Sequence, residues 1–285
     1  MKYLKKTGWF IVAMLPALLS FLLQIGMGVL VLVVYMVNEL SHQQGTLSTD
    51  EILNLAANSY VENAMYPIFL YHILGILVFG IWYCLAYGRK KRPTGTEQPT
   101  VSKAAIIIWL GLCIQIFTSC ALSLIQAIAP SLLKNYIELM EAAGIGETNL
   151  ITIISVVVLA PIGEELLCRG IIFRLAGKVS SKFWIANIVQ AFAFGLIHAN
   201  LVQGTYAFFM GLALGYIYGK YRRIWLCMLL HASINGSSIL LESYFNLYPE
   251  KYDIPIMAAH FVVSLLFMFV CFKLLGKRKP VAEEA

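Results

Sequence analysis

Residues 150–173 read LITIISVVVLAPIGEELLCRGIIF, and the only charged residues among them are Glu164, Glu165 and Arg169. A helix needs about 20 consecutive, mainly apolar residues to cross the hydrocarbon core of a bilayer. This run is therefore predicted to be a transmembrane helix. It carries three ionisable side chains at a depth where such groups are costly.

Apolar runs also occupy much of the rest of the chain, in which 60% of the residues are hydrophobic and 13% are charged. We predict an all-α polytopic membrane protein with eight transmembrane helices, formed by residues 1–285 as one membrane-embedded domain. The fifth and sixth runs are the shortest, and the first is interpreted as a retained signal anchor. The eight runs are Trp9–Val37, Pro67–Tyr87, Ala104–Ile128, Leu150–Phe173, Phe183–Ala199, Thr205–Gly219, Ile224–Leu241 and Ile256–Leu275.

The basic residues predict the orientation of these helices, because short loops rich in lysine and arginine stay on the cytoplasmic side. If the N-terminus is cytoplasmic, 18 of the 21 basic residues fall in cytoplasmic segments. We therefore expect both termini in the cytoplasm. The net charge of +6 then reflects topology, and nucleic acid is not expected as a partner.

Two segments between or within the spans have recognisable patterns. The outer loop at residues 38–66 is expected to contain a short amphipathic helix. In the sixth span, Gly211, Gly215 and Gly219 recur every four residues. This spacing places them on one helix face and allows a neighbouring backbone to approach closely.

Helical spacing separates the roles of the two adjacent glutamates. Glu165 and Arg169 lie four residues apart on one face and are expected to form an ion pair. Glu164 points elsewhere and has no partner on its own helix, so it is a candidate general base.

The partners expected for Glu164 lie on two other spans. His198 is near the end of the fifth run, about 22 Å from its cytoplasmic end at 1.5 Å per residue. The fifth helix is therefore predicted either to begin inside the cytoplasm, near Lys178, or to be tilted. His231 and Asn235 share one face of the seventh helix. We interpret the other histidines, His42, His72 and His260, as structural.

These segments resemble the intramembrane proteases of the CPBP family (type II CAAX prenyl endopeptidases, bacteriocin-processing and abortive-infection proteins). That family is marked by EExxxR, FxxxH and HxxxN/D. Here the motifs are Glu164-Glu165-x-x-x-Arg169, Phe194-x-x-x-His198 and His231-x-x-x-Asn235. The resemblance covers residues 150–240.

The resemblance implies an intramembrane endopeptidase in which Glu164 and His198 activate water, while His231 and Asn235 hold the oxyanion. Glu165 and Arg169 would be a structural or substrate-orienting pair, and Phe194 would pack behind the site. The implied substrate is a membrane-anchored or hydrophobic peptide, either a CAAX-like prenyl protein or a pheromone or bacteriocin precursor. The short chain favours a bacterial member in the plasma membrane.

Two alternatives remain open from the sequence. Glu164, His198 and His231 could form a zinc site with one position left for water. There is no HExxH helix to support it, so we favour a reaction without a cofactor over one that uses Zn²⁺. The protein could also be a membrane transporter or an immunity protein that binds a peptide toxin without cutting it.

Overall fold

The computed structural model describes residues 2–42, 48–88, 97–142, 149–245, 250–276 and 280. Within these ranges the secondary structure is helical, with no strand, as predicted. The longer helices are α1 (Lys2–His42), α2 (Thr49–Glu62), α3 (Met65–Tyr87), α4 (Val101–Ile128), α5 (Lys134–Ala142), α6 (Leu150–Val179), α7 (Phe183–Leu196), α8 (Leu201–Tyr221), α9 (Ile224–Phe245) and α10 (Glu250–Leu274).

Seven of these helices are long and apolar enough to cross a membrane, namely α1, α3, α4, α6, α8, α9 and α10. The chain is thus a multi-pass integral membrane protein. The eighth predicted span is the apolar helix α7, which has only 14 residues. At 1.5 Å per residue it is about 21 Å long, which is shorter than the ~30 Å hydrocarbon core.

Helix α7 begins at Phe183, so the predicted start near Lys178 is wrong, and Lys178 belongs to the preceding helix α6. The chain turns at residues 197–200 and returns as α8. A hairpin of this kind brings the chain back to the side from which it started. The prediction that both termini lie on one side of the membrane therefore does not require the turn at residues 197–200 to reach the opposite surface.

Small residues hold the α7–α8 hairpin together. A Cβ atom added at Gly211 would lie 3.0 Å from Ala191 Cα, and one added at Gly215 would overlap the Asn187 side chain. Further along, Gly219 faces Phe183 in the same way. The facing residues run in opposite directions along the chain, so the helices are antiparallel, and the close approach expected from the glycine spacing is confirmed.

The outer loop contains the expected short helix, α2. Ser48 caps its N-terminus by accepting a hydrogen bond from the Glu51 backbone N–H, while the Glu51 carboxylate accepts one from the Ser48 backbone N–H at 2.8 Å. This reciprocal capping box fixes the first turn of the helix. Because these hydrogen bonds stabilise the charged carboxylate, the pKa of Glu51 is lowered.

Helix α6 lies near the centre of the bundle and is not α-helical throughout. Residues Ile154–Leu159 and Leu166–Ile172 form π-helical turns on either side of the two glutamates. Helix α6 contacts α3 and α9, and α4 packs against α9 and α10. Turns of this kind recur at functional sites because they rotate the side chains that follow them.

The close packing at Gly215 predicts a coupled effect on stability. Gly215→Ala is expected to lower the free energy of unfolding by about 1–3 kcal/mol, because the added methyl group displaces the Asn187 side chain. Asn187→Ala should remove that obstacle, so the double variant should be less destabilised than the sum of the two single variants. Thermal unfolding in detergent measures all three, and strict additivity would contradict the packing.

The topology gives a second prediction. Single cysteines at Asn58 and Ser180, introduced into a cysteine-free variant, should react differently with a membrane-impermeant maleimide applied to intact cells. Residue 58 is expected to be labelled and residue 180 to be protected until the cells are opened. Labelling of residue 180 in intact cells would place the α6–α7 connection outside and contradict the predicted orientation.

Candidate active site

The predicted site residues come from three parts of the helix bundle. Glu164 and Glu165 lie on α6 between its two π-helical turns, and Arg169 lies within the second of these turns. His198 follows the C-terminal end of α7. His231 and Asn235 lie one turn apart on α9.

Glu165 is the acceptor at the centre of a buried cluster. Its Oε1 atom accepts a hydrogen bond from Arg169 Nη1 at 2.8 Å and lies 3.0 Å from His231 Nδ1. The side chains of Glu165 and Arg169 are fully buried. The predicted Glu165–Arg169 pair is therefore present, and His231 is a further partner from another helix.

These contacts determine which nitrogen of His231 carries a proton. A carboxylate oxygen that already faces a guanidinium can only accept from the imidazole, so His231 Nδ1 is the donor. The other ring nitrogen, Nε2, lies 3.7 Å from Glu164 Oε2. In this way Glu165 orients the imidazole and presents Nε2 to the second glutamate.

Glu164 differs from its neighbour in both exposure and partners. Its side chain is 14% exposed, whereas that of Glu165 is completely buried. Within the described part of the chain it makes no hydrogen bond, and its ionic contact is the one with His231. The sequence correctly predicts that this carboxylate has no partner on its own helix.

His198 lies at the tip of the α7–α8 hairpin. Its Nδ1 atom donates a hydrogen bond to the carbonyl of Phe194 at 2.8 Å, which leaves Nε2 as the unprotonated nitrogen of a neutral ring. The turn is tight because Cβ atoms added at Gly195 and Gly204 would each come within 2.8 Å of the carbonyl oxygen of the other. The next residue, Ala199, has a positive φ of 51°.

The ring of Phe194 links the two histidines. It is completely buried and stands edge-on to His198 and His231, with ring centroids 5.1 and 5.7 Å away. The Arg169 guanidinium lies 4.9 Å from its centre. Phe194 thus supports the site by packing, as the resemblance implies.

Asn235 has a backbone partner on α6, since its Nδ2 atom donates to the Val156 carbonyl at 2.8 Å. In the π-helical turn the Ala160 N–H donates to Ser155 O, five residues earlier. In the same pattern the next bond would run from residue 161 to Val156 O, but Pro161 has no N–H to donate. The asparagine side chain therefore satisfies a carbonyl that the proline leaves without a helical partner.

A second layer of polar residues supports Arg169 and was missed by the sequence reasoning. Arg169 Nη2 donates to Gly211 O at 3.0 Å, and Gln190 Nε2 donates to the same carbonyl at 2.8 Å. Gln190 also bonds to Asn187, whose amide donates to Leu212 O. In the sequence, this layer is indicated by two amide side chains that lie three residues apart within an apolar helix. That helix faces the Gly211–Gly215 surface.

The three possible zinc ligands are only partly brought together by the fold. Glu164 and His231 approach each other, but within the described residues no three His, Cys, Asp or Glu side chains are grouped so that they could hold a metal ion. Glu164, His198 and His231 do not form such a set in this arrangement. That the reaction proceeds without a metal stays a prediction.

Comparison with known proteins gives a partial match. Residues 146–237, about a third of the chain, match the family described as type II CAAX prenyl endopeptidase Rce1-like. All three motifs fall within this segment. The chain is similar to this family over that segment.

One bacterial relative has a related sequence. The chain is 29% identical over 85 residues to the candidate membrane peptidase YdiL of Bacillus subtilis (strain 168). The match covers 30% of this chain and 34% of the relative, so it spans about a third of the relative's length. No solved structure matches the chain.

The buried cluster predicts different effects for the two glutamates. Glu165→Gln removes the charge that compensates Arg169, and breaking a buried ion pair in this way costs about 3–5 kcal/mol. Glu164→Gln removes no hydrogen bond, so the unfolding temperature should stay close to that of the wild type. Thermal unfolding and yield in detergent compare the two, and equal destabilisation would contradict the division of roles.

Proposed function

We propose that this protein is an intramembrane endopeptidase that hydrolyses a peptide bond in a membrane-associated peptide or protein. The observation that carries the proposal is the pair formed by the partly exposed Glu164 and the oriented Nε2 atom of His231. The family match and the name of the bacterial relative support a peptidase. The site also offers a carboxylate and an imidazole close together, which are the groups that general acid–base hydrolysis of an amide uses.

In the proposed reaction Glu164 accepts a proton from water as the water oxygen attacks the scissile carbonyl carbon. The unprotonated Nε2 atom of His198 accepts a hydrogen bond from the same water and helps to orient it. A tetrahedral intermediate forms with the negative charge on the former carbonyl oxygen. Its collapse breaks the C–N bond and requires a proton for the leaving amine.

His231 is proposed to stabilise the oxyanion, which requires a proton on Nε2. Glu164 Oε2 is the nearest carboxylate oxygen to that nitrogen, so the proton taken from water can be shared between them. Glu165 stabilises the resulting imidazolium, much as a buried carboxylate stabilises the catalytic histidine of a serine protease. The same proton then serves the leaving amine.

Asn235 is proposed to assist His231 at the oxyanion. A side-chain amide has two N–H donors, and the hydrogen bond to Val156 uses one of them. The second N–H is available to a substrate. The backbone contact would hold the amide in place, which is how preorganised donors stabilise a transition state.

The substrate is proposed to be a CAAX-like prenyl protein or the precursor of a peptide pheromone or bacteriocin, met in the plasma membrane of a bacterium. Either kind presents an extended apolar peptide at the bilayer. No metal or other cofactor is assigned a role in this mechanism. Addition of a strong zinc chelator should therefore leave the peptidase activity of purified protein unchanged.

The central test uses protein reconstituted in liposomes with two fluorogenic peptides, a farnesylated CAAX peptide and an unprenylated apolar leader peptide. The wild type should cleave at least one of them. Glu164→Gln should abolish cleavage while the protein stays folded, because the amide keeps the shape but cannot take the proton. Absence of cleavage of both peptides by the wild type, or activity in Glu164→Gln, would contradict the proposal.

Kinetics separate the two roles of Asn235. Loss of one oxyanion donor typically lowers kcat by about 10²–10³-fold with little change in KM. We expect this for Asn235→Ala, together with a loss of stability because Val156 O loses its donor. The measurement is kcat and KM normalised to folded protein. An unchanged kcat together with reduced stability would mean that Asn235 has only a structural role.

A further inference from the structure

A third histidine lies beside Glu164 although it comes from a helix outside the family match. His72 is on α3 and is 8% exposed. With Glu164 it lines a narrow cavity between α3 and α6. The other residues lining this cavity are Tyr71, Gly75, Phe79, Gly163 and Leu167.

Helices α3 and α6 are in van der Waals contact at residue 163. A Cβ atom added at Gly163 would lie 3.8 Å from the carbonyl oxygen of His72. Helix α3 therefore packs directly against the turn of α6 that carries Glu164.

His72 differs from His198, His231 and His260 in its hydrogen bonding. His198 bonds to Phe194 O, His231 to Glu165 and His260 to Ile256 O. Within the described residues the ring of His72 makes no hydrogen bond, and its close polar neighbour is the Tyr71 ring at 5.0 Å. The His72 ring nitrogens are not among the fully enclosed unpaired polar atoms of the described residues, so they can bond to a ligand.

The walls of the cavity limit what could satisfy this ring. Gly75, Phe79 and Leu167 offer no polar side chain. The Tyr71 hydroxyl is already hydrogen-bonded to Ser20 Oγ at 2.6 Å. The polar side-chain groups left facing the cavity are the Glu164 carboxylate and the His72 ring.

We propose that His72 is a substrate-binding residue whose ring hydrogen-bonds to the backbone of the peptide substrate beside the bond that Glu164 attacks. A neutral imidazole has one donor and one acceptor, which match the C=O and N–H groups of a peptide. Because the cavity has no room for a water molecule, the proposal requires α3 and α6 to separate when the peptide binds. The inference rests on the proposed function.

The test compares His72→Phe with the wild type in the liposome assay, using whichever of the two fluorogenic peptides the wild type cleaves. Phenylalanine keeps the ring and removes both nitrogens. We expect kcat/KM to fall about 10-fold or more, as for loss of a substrate hydrogen bond. The unfolding temperature should stay close to that of the wild type, because the substitution removes no hydrogen bond within the described residues.

His260→Phe is the matched control, since it makes the same change on α10 and removes the bond to Ile256 O. It should leave kcat/KM unchanged. His72→Gln, which retains a donor and an acceptor, should recover part of the activity lost in His72→Phe. Normal kcat/KM in His72→Phe, or an equal loss of activity in His260→Phe, would overturn the inference.

Failure of this inference can be distinguished from failure of the proposed function. Binding of the same peptide is measured by fluorescence anisotropy in the inactive Glu164→Gln background, with and without His72→Phe. Weaker binding with phenylalanine supports a contact with the substrate. A cleaving wild type with equal binding in both backgrounds overturns the role of His72 alone, whereas a wild type that cleaves neither peptide overturns the proposed function.

Discussion

The arrangement of the site depends on one buried carboxylate oxygen, Glu165 Oε1, which faces both Arg169 and His231. A charge in a low-dielectric interior is tolerated only when it is paired and hydrogen-bonded. This requirement joins α6 to α9 through the imidazole, and Arg169 extends the connection to α8 through Gly211 O. Polar contacts thus hold three helices together. Within a bilayer the hydrophobic effect does little to orient one helix against another. The position of His231 Nε2 follows from that arrangement.

The α7–α8 hairpin adds the second histidine under a different constraint. Its helices approach closely because glycine occupies one face of α8, and the two amides of α7 fill the space that side chains would otherwise take. The same helix carries Phe194 and ends just before His198. Helix α7 thus ends at Leu196, and His198 lies in the turn that leads into α8.

Much of this could be predicted from the sequence because it depends on contacts within one helix. The apolar runs follow from the thickness of the bilayer, and the Glu165–Arg169 pair follows from helical spacing. The contacts made across helices could not be predicted, since spacing along the chain carries no information about which faces meet. The bond from His231 to Glu165, the role of Asn187 and Gln190, and the place of His72 beside Glu164 are all of this kind. The π-helical turns of α6 were also missed, although Pro161 indicated a break in the helical hydrogen bonding.

The carboxylates of Glu164 and Glu165 are chemically identical, but their different surroundings give them different roles. Glu165 has no exposed surface and is held by two donors, so its charge serves to stabilise the packing of the helices. Glu164 keeps a partly exposed carboxylate and faces an imidazole nitrogen that has no other partner among the described residues. With Arg169 balancing Glu165, the remaining negative charge on Glu164 can be neutralised by a single proton shared with His231. In the proposed hydrolysis this pair takes a proton from water and returns it to the leaving amine, so the buried cluster regains its starting charge after each turnover.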